Sequence, residues 1–392
     1  MASLADLFLL DPDVVFFNHG SFGATPRPVF ESYQRWQREL ERQPVHFIQR
    51  RLRPALDEAR AALATFLHTS ADNVVFVTNA TLGMNIVIRS LDLGPGDEVL
   101  TTDQEYGAVN NAWNFMAGKR GFRYINQHVP FPATTREDFV EALWQGVTSR
   151  TKVISLSHIT SPTALILPVE EVCRRAREAG ILTVIDGAHA PGQIPLDLDA
   201  LGADYYTGNC HKWLCAPKGS GFLYVRPDRQ RDLEPLIVSH GWRKTADDPT
   251  HFAEWHQFQG TRDCAAFLAV PDAIRFQQEH DWDRVRAECH ALAGYAKARI
   301  LEQFDLEPLQ PETPVWYAQM VVIPLPKREA GTLVSNVYQR LLDEYRIEVP
   351  IFPVQDRPLT RLSIQAYNTR EQVDYFVEAL QTIYRNGNTA PG

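Results

Sequence analysis

A chain of 392 residues is long for one hydrophobic core and points to two domains. Its 44% hydrophobic and 22% charged content is that of an ordinary soluble globular protein. A formal net charge of −9 argues against a nucleic-acid partner, whose phosphates need a basic face, and against adhesion to an anionic membrane.

The amino end, MASLADLFLLDPDVVFF, has no basic stretch and carries Asp6 and Asp11 within its apolar part. It does not read as a signal peptide, no apolar run nears the ~18 residues needed to span a bilayer, and a cytoplasmic location is expected. The five cysteines are scattered without a C-x-x-C pair, which suits reduced thiols better than a zinc site or disulfides. Residues 28–68 read as two charged helical stretches.

From residue 74 short apolar runs alternate with amphipathic segments. VVFVT (74–78) reads as a buried strand and TLGMNIVIRSL (81–91) as the helix after it. GPGDEVLTT turns into a second strand, AVNNAWNFMAGK is helical, and FRYIN and KVISLSH (152–158) are strands. PVEEVCRRAREAG (168–180) has helical spacing, with Pro168 at its start and Gly180 at its stop, and ILTVID (181–186) follows at once. DYYTGNCHKWLCAPKGSGFLYV (204–225) reads as strand, polar turn and strand. Such alternation predicts an α/β fold with a mainly parallel sheet covered on both faces. After about residue 265 a long helical stretch to 303, the apolar run VWYAQMVVIPL, a helix near 330–345, the strands RIEVPIF and RLSIQAY, and a final helix from about 370 predict a smaller α+β domain. The boundaries expected are an amino-terminal segment 1–27, a large domain 28–265 and a small domain 266–392.

Ligands of open α/β sheets sit beyond the carboxyl ends of the strands. Those ends carry Asn79-Ala80-Thr81, Asp103-Gln104-Glu105-Tyr106, His158-Ile159-Thr160-Ser161, Asp186-Gly187-Ala188-His189 and Asn209-Cys210-His211-Lys212. Taken singly each has an ordinary reading: a surface lysine, an Asp-Gly turn, a helix cap, a packed tyrosine, interior histidines. Together they supply what pyridoxal 5′-phosphate requires. Its aldehyde needs an amine whose charge is suppressed by burial or a cationic neighbour, and Lys212 has apolar neighbours and His211 beside it. Its pyridine nitrogen needs a buried carboxylate, for which Asp186 is the candidate. Its phosphate needs amides and hydroxyls at a helix start, which Ala80, Thr81 and His211 offer. Tyr106 offers a flat partner for the ring, and Ser161 is counted with the cofactor-binding strand ends.

N-A-T, D-G-A-H and H-K-W, with G-T-R-D at 260–263 and R-L-S-I-Q-A-Y-N-T at 361–369, resemble the class V aminotransferase family. FFNHGSFGATP (16–26), EYGAVNNAW (105–113) and SHITSPTALILPV (157–169) make the chain most similar to its isopenicillin N epimerase-like branch. The resemblance runs from about residue 14 to 380. It implies fold type I of the pyridoxal-phosphate transferases, with a seven-stranded sheet in the large domain and residues 1–27 at the active-site entrance. It implies Lys212 as the Schiff-base lysine, Asp186 as the pyridinium partner, and His189 near the ring hydroxyl. Tyr106 falls where relatives often place a stacking His, and Thr81, His211 and Asn209 would hold the phosphate. Thr261 would reach the phosphate of a neighbouring subunit, implying a homodimer with shared sites. Arg361 would clamp the carboxylate of an amino-acid substrate under a loop containing Asn18, His19 and Gly20. One departure is informative: where cysteine desulfurases of this class carry a reactive cysteine, VPIFPVQDRPLTR has none, so persulfide formation there is not expected.

The resemblance implies Lys212 as general base at the α-carbon. Epimerisation is the expected outcome; Cβ–S lysis, transamination, or a catalytically silent scaffold are the alternatives. Tyr106, His46 or His19 are the candidates for an acid on the opposite face.

Overall fold

Residue 180 shows why the strand–helix alternation folds as it does. Helix Val169–Glu178 ends where Gly180 takes φ 68, a left-handed conformation that glycine adopts at little cost, and the chain turns directly into the next strand. The computed structural model describes residues 4–130, 135–243, 245–248, 250–309, 315–327, 334–354 and 357–386. Its strands in chain order are β1 (Val15–Phe16), β2 (Val74–Val77), β3 (Glu98–Thr102), β4 (Arg123–Gln127), β5 (Thr151–Ser157), β6 (Leu182–Gly187), β7 (Tyr205–Asn209), β8 (Gly221–Val225), β9 (Met320–Pro324), β10 (Ile347–Glu348), β11 (Ile351–Val354) and β12 (Arg357–Ser363).

The chain divides into two compact units, one of residues 25–161 and 167–279, the other of residues 1–24, 162–166 and 280–392. The larger unit holds a seven-stranded sheet in the order β2-β8-β7-β6-β5-β3-β4. β7, β6, β5, β3 and β4 run parallel, while β8 is antiparallel to both its neighbours. The central strands are buried along their length, which is why they read as continuous apolar runs rather than alternating ones. Val75, Val77, Val99, Val153, Val184 and Leu223 from the sheet pack with Met84, Val87 and Trp113 from the helices after β2 and β3. Helix Ala80–Ser90 lies tight on the sheet at Gly83, where a β-carbon would come within 2.3 Å of Thr207 Oγ1.

The smaller unit holds the antiparallel sheet β11-β12-β9 and the parallel pair β1-β10, with helices Trp282–Phe304, Val334–Tyr345 and Arg370–Asn386. Phe17, Val321, Ile323, Leu362, Ile364, Phe376 and Leu380 are among its buried residues. The helical stretch expected over 265–303 is three helices, Ala265–Leu268, Val270–Glu279 and Trp282–Phe304; Asp281 at φ 49 breaks the last from the others. A helix at Arg136–Trp144 also forms, with Thr135 Oγ1 accepting the amide of Asp138 at 3.0 Å and two acids in its first turn. No helix among the described residues is long and apolar enough to cross a membrane.

Candidate active site

The turn between β7 and β8 projects Lys212 from the carboxyl edge of the sheet. Lys212 Nζ lies 3.1 Å from His189 Nε2, and Trp213 Nε1 donates to His189 Nδ1 at 3.3 Å. An indole N–H only donates, so Nδ1 accepts and the neutral imidazole carries its hydrogen on Nε2. That hydrogen faces the lysine nitrogen and complements the amine once it has lost its proton, whereas the Lys212 charge that acts on Asp186 belongs to the protonated form. The turn itself is held firmly. Cys210 and His211 amides donate to the Ser220 carbonyl, Ala216 donates back to Cys210, and Gln277 Nε2 donates to the Trp213 carbonyl at 2.8 Å. Cys210 and Cys215 are fully buried free thiols, and burial pushes the Cys210 thiol well up, away from reactivity.

Asp186 ends β6 with 5% of its surface exposed. One of its oxygens accepts the Ala188 amide at 2.9 Å. Burial raises its affinity for a proton; that amide and the nearby Lys212 charge lower it. Gly187 follows because a β-carbon there would overlap the ring of Tyr206, at 2.2 Å. The Tyr206 hydroxyl meets His158 Nδ1 at 2.9 Å, and burial holds His158 neutral, down to about 3.

At the start of helix Ala80–Ser90, Asn79 Oδ1 caps the Leu82 amide at 2.9 Å. The Ala80 amide donates to Asn209 Oδ1 at 2.8 Å, so it is committed to that side chain. Thr81 stands exposed in the first turn, where the helix dipole favours an anion. His211 Nδ1 donates to the Ser220 carbonyl at 2.6 Å, and burial with the neighbouring lysines pushes His211 down to about 4. Its other nitrogen donates only if the ring is charged. Tyr106 caps helix Gly107–Arg120 with its ring 45% exposed. Ser161 is half-buried beyond β5, and Thr261 is exposed in the turn before helix Ala265–Leu268.

The larger unit thus gathers Lys212, His189, Asp186, Asn209, Ala80 and Thr81 at one sheet edge. In the smaller unit a second group forms around Arg361. Arg361 Nη2 donates to Ser21 Oγ at 2.9 Å, Ser21 donates to Asn18 Oδ1 at 2.5 Å, and Asn18 Nδ2 reaches Glu348 at 3.5 Å. His19, fully buried, has Tyr367 and the Ala24 amide on Nδ1 and Gln365 on Nε2, which occupies both nitrogens of a candidate opposite-face acid. Gly20 is buried in the short helix His19–Phe22, and His46 is exposed.

Three contacts were not foreseen from the residues alone. Trp213 fixes the His189 ring. Ser21 joins Arg361 across 340 positions of sequence. Glu105, visible only as a member of a strand end, accepts from Ser157 and Thr102 beside Asp186.

These residues fit pyridoxal 5′-phosphate: an amine aimed outward by a histidine, a buried carboxyl accepting one amide through one oxygen, a helix start with an exposed hydroxyl, and an exposed aromatic face. The family model for aminotransferase class-V matches residues 16–376. Isopenicillin N epimerase from Amycolatopsis lactamdurans is 37% identical over 388 residues, covering 95% of this chain and 96% of the relative. A probable chloroplastic L-cysteine desulfhydrase from Arabidopsis thaliana is 27% identical, covering 96% of this chain and 84% of the relative. The apo structure of a cysteine desulfurase from Thermococcus onnurineus superposes with a TM-score of 0.82 at 20% identity, covering 98% of this chain and 99% of that one. The fold and the family match define a fold type I enzyme that depends on pyridoxal 5′-phosphate. Within that class, the chain belongs to the aminotransferase class-V family.

Proposed function

We infer that the chain removes and returns the α-proton of an amino acid, an epimerase-like activity carried out with Lys212 as the base. The full-length 37% identity to an isopenicillin N epimerase carries the reading. When bound, pyridoxal 5′-phosphate supplies a carbonyl carbon for amines and a ring that accepts electron density. The chain's own residues do the rest. Lys212 would bind the carbonyl carbon of the cofactor, and as a free amine it would accept the α-proton. His189, its tautomer set by Trp213, would keep that amine a base and would face the ring hydroxyl, and Ser161 would help hold the cofactor. Asp186 would hold the ring nitrogen, and Tyr106 the ring face. Thr81, Asn209 and His211 hold the phosphate, with Ala80 tied to Asn209. Arg361 takes the substrate carboxylate bidentately, and Asn18, His19 and Gly20 form the loop over it. Thr261 serves the phosphate of a second copy in a homodimer, working in the cytoplasm.

A second reading follows from the desulfhydrase relative: loss of a β-sulfur group after the same proton is removed. Incubation of the holoenzyme with a panel of L-amino acids in deuterated water separates the two. α-Deuteration with inversion is the expected result. Pyruvate with released sulfide or thiol selects the lyase reading, and stoichiometric keto-acid without inversion selects transamination. No exchange with any amino acid overturns the proposal.

A further inference from the structure

Glu105 is a buried carboxyl for which the proposed chemistry above has no use. Only 7% of it is exposed. One oxygen accepts from the Ser157 amide at 2.8 Å and its hydroxyl at 2.6 Å, the other from Thr102 Oγ1 at 2.8 Å. Two of these three partners are hydroxyls, which can donate to a carboxylate or turn to accept from a carboxylic acid. Both protonation states are therefore accommodated without moving a backbone atom.

The location gives this a consequence. Ser157 pairs with Asp186 in the β5–β6 ladder, and the His158 amide donates to the Asp186 carbonyl. Glu105 is thus bonded to the residue beside Asp186, close enough for the Asp186 charge to oppose its ionisation. The other titratable group facing it is Tyr124 from β4, which its neighbouring Glu105 and burial hold protonated. Helix Gly107–Arg120 contributes Asn110 and Trp113, which do not titrate, and β5 contributes His158 just beyond Ser157, held neutral. The Lys212 charge also acts on Asp186.

We propose that Glu105 is a positioning residue that shares the proton balance of Asp186: by keeping its own proton it leaves Asp186 free to carry the charge, and by losing that proton it drives one back onto Asp186. Desolvation, and then the Asp186 charge, push Glu105 up to about 7. The inference rests on Asp186 as the ring-nitrogen partner.

The test is a pH titration of cofactor absorbance near ~420 nm in wild-type, Glu105→Gln and Asp186→Asn holoenzymes. The amide keeps the shape of the carboxyl and can accept from Ser157 while donating to Thr102, so folding is retained. Wild type shows an inflection near pH 7 that Glu105→Gln removes. An inflection that persists unchanged in Glu105→Gln, or is missing from wild type, overturns the proposal. Asp186→Asn separates the two ideas: if it leaves cofactor retention and spectrum untouched, the ring-nitrogen reading fails. If it disturbs both while Glu105→Gln disturbs neither, this inference alone fails. Should Glu105→Gln not fold, the Asp186→Asn apo-protein decides, because in wild type Asp186 is raised by burial too and would give a fall of the same sign. A carboxyl raised on folding binds its proton more tightly in the folded state, so thermal stability must fall as pH rises from about 4.3 towards about 7; a flat profile overturns the proposal.

Discussion

Two buried aspartates, 18 residues apart and each 5% exposed, sit at opposite edges of the same pair of strands. Asp204, before β7, accepts from the Thr183 amide and hydroxyl at 2.8 and 3.0 Å and pairs with Arg226 at 2.9 Å and Arg229 at 3.4 Å. Asp186, at the end of β6, has one amide and the neighbouring charge of Lys212. Burial alone therefore does not mark a functional acid. The difference lies in satisfaction: one carboxylate is neutralised by its own chain, and the other keeps an elevated proton affinity that a cationic ligand would relieve.

The sharpest way to break this contrast is at the amine. Lys212→Ala is expected to lower turnover by at least about 10³-fold, since base and carbonyl-binding group vanish together. Loss of the cofactor's imine absorbance checks it, and retention of that band removes Lys212 from its role. Next come the aspartates. Asp204→Ala leaves two arginines beside a partly buried gap and is expected to cost about 3 kcal/mol in denaturant unfolding. Asp186→Asn is expected to cost little in the apo-protein and to gain stability relative to wild type as pH rises, because the wild-type carboxyl must ionise against its surroundings while the amide need not. Equal losses in the two variants would erase the contrast. Arg361→Ala is expected to raise KM for amino acids by about 10²-fold through loss of a paired charged hydrogen bond, with cofactor affinity unchanged; an unaltered KM places the carboxylate clamp elsewhere. The smallest effect is expected from Trp213→Phe, which frees the His189 tautomer. A loss of about 1 kcal/mol in stability and a several-fold drop in kcat are expected, and a pH profile identical to wild type would remove Trp213 from the base's support.

The sequence was most legible where one residue acts through its own neighbours. Pro168 and Gly180 bracket a helix that forms between them, and the apolar strands are those that pack on both faces. The strand ends that carry Lys212, Asp186 and Thr81 were legible because a strand end is a local feature. What stayed hidden required adjacency between distant segments. Glu105 gains its setting only when β3 lies against β5 and brings Ser157 within reach. Ser21 meaningfully contacts Arg361 only once β12 and the amino-terminal helix share one unit. The break at Asp281 was illegible for another reason: its left-handed backbone is tolerated by aspartate and leaves the helical pattern on either side intact.

Because β8 runs back along β7, the segment carrying Lys212 leaves and rejoins the sheet through one clasp of paired backbone. Any displacement of its amine is therefore a matter of four carbon–carbon bonds swivelling on a fixed anchor. Amides of residues 205–225 should accordingly exchange with solvent among the slowest in the molecule, whatever the side chain at the tip of that arm does.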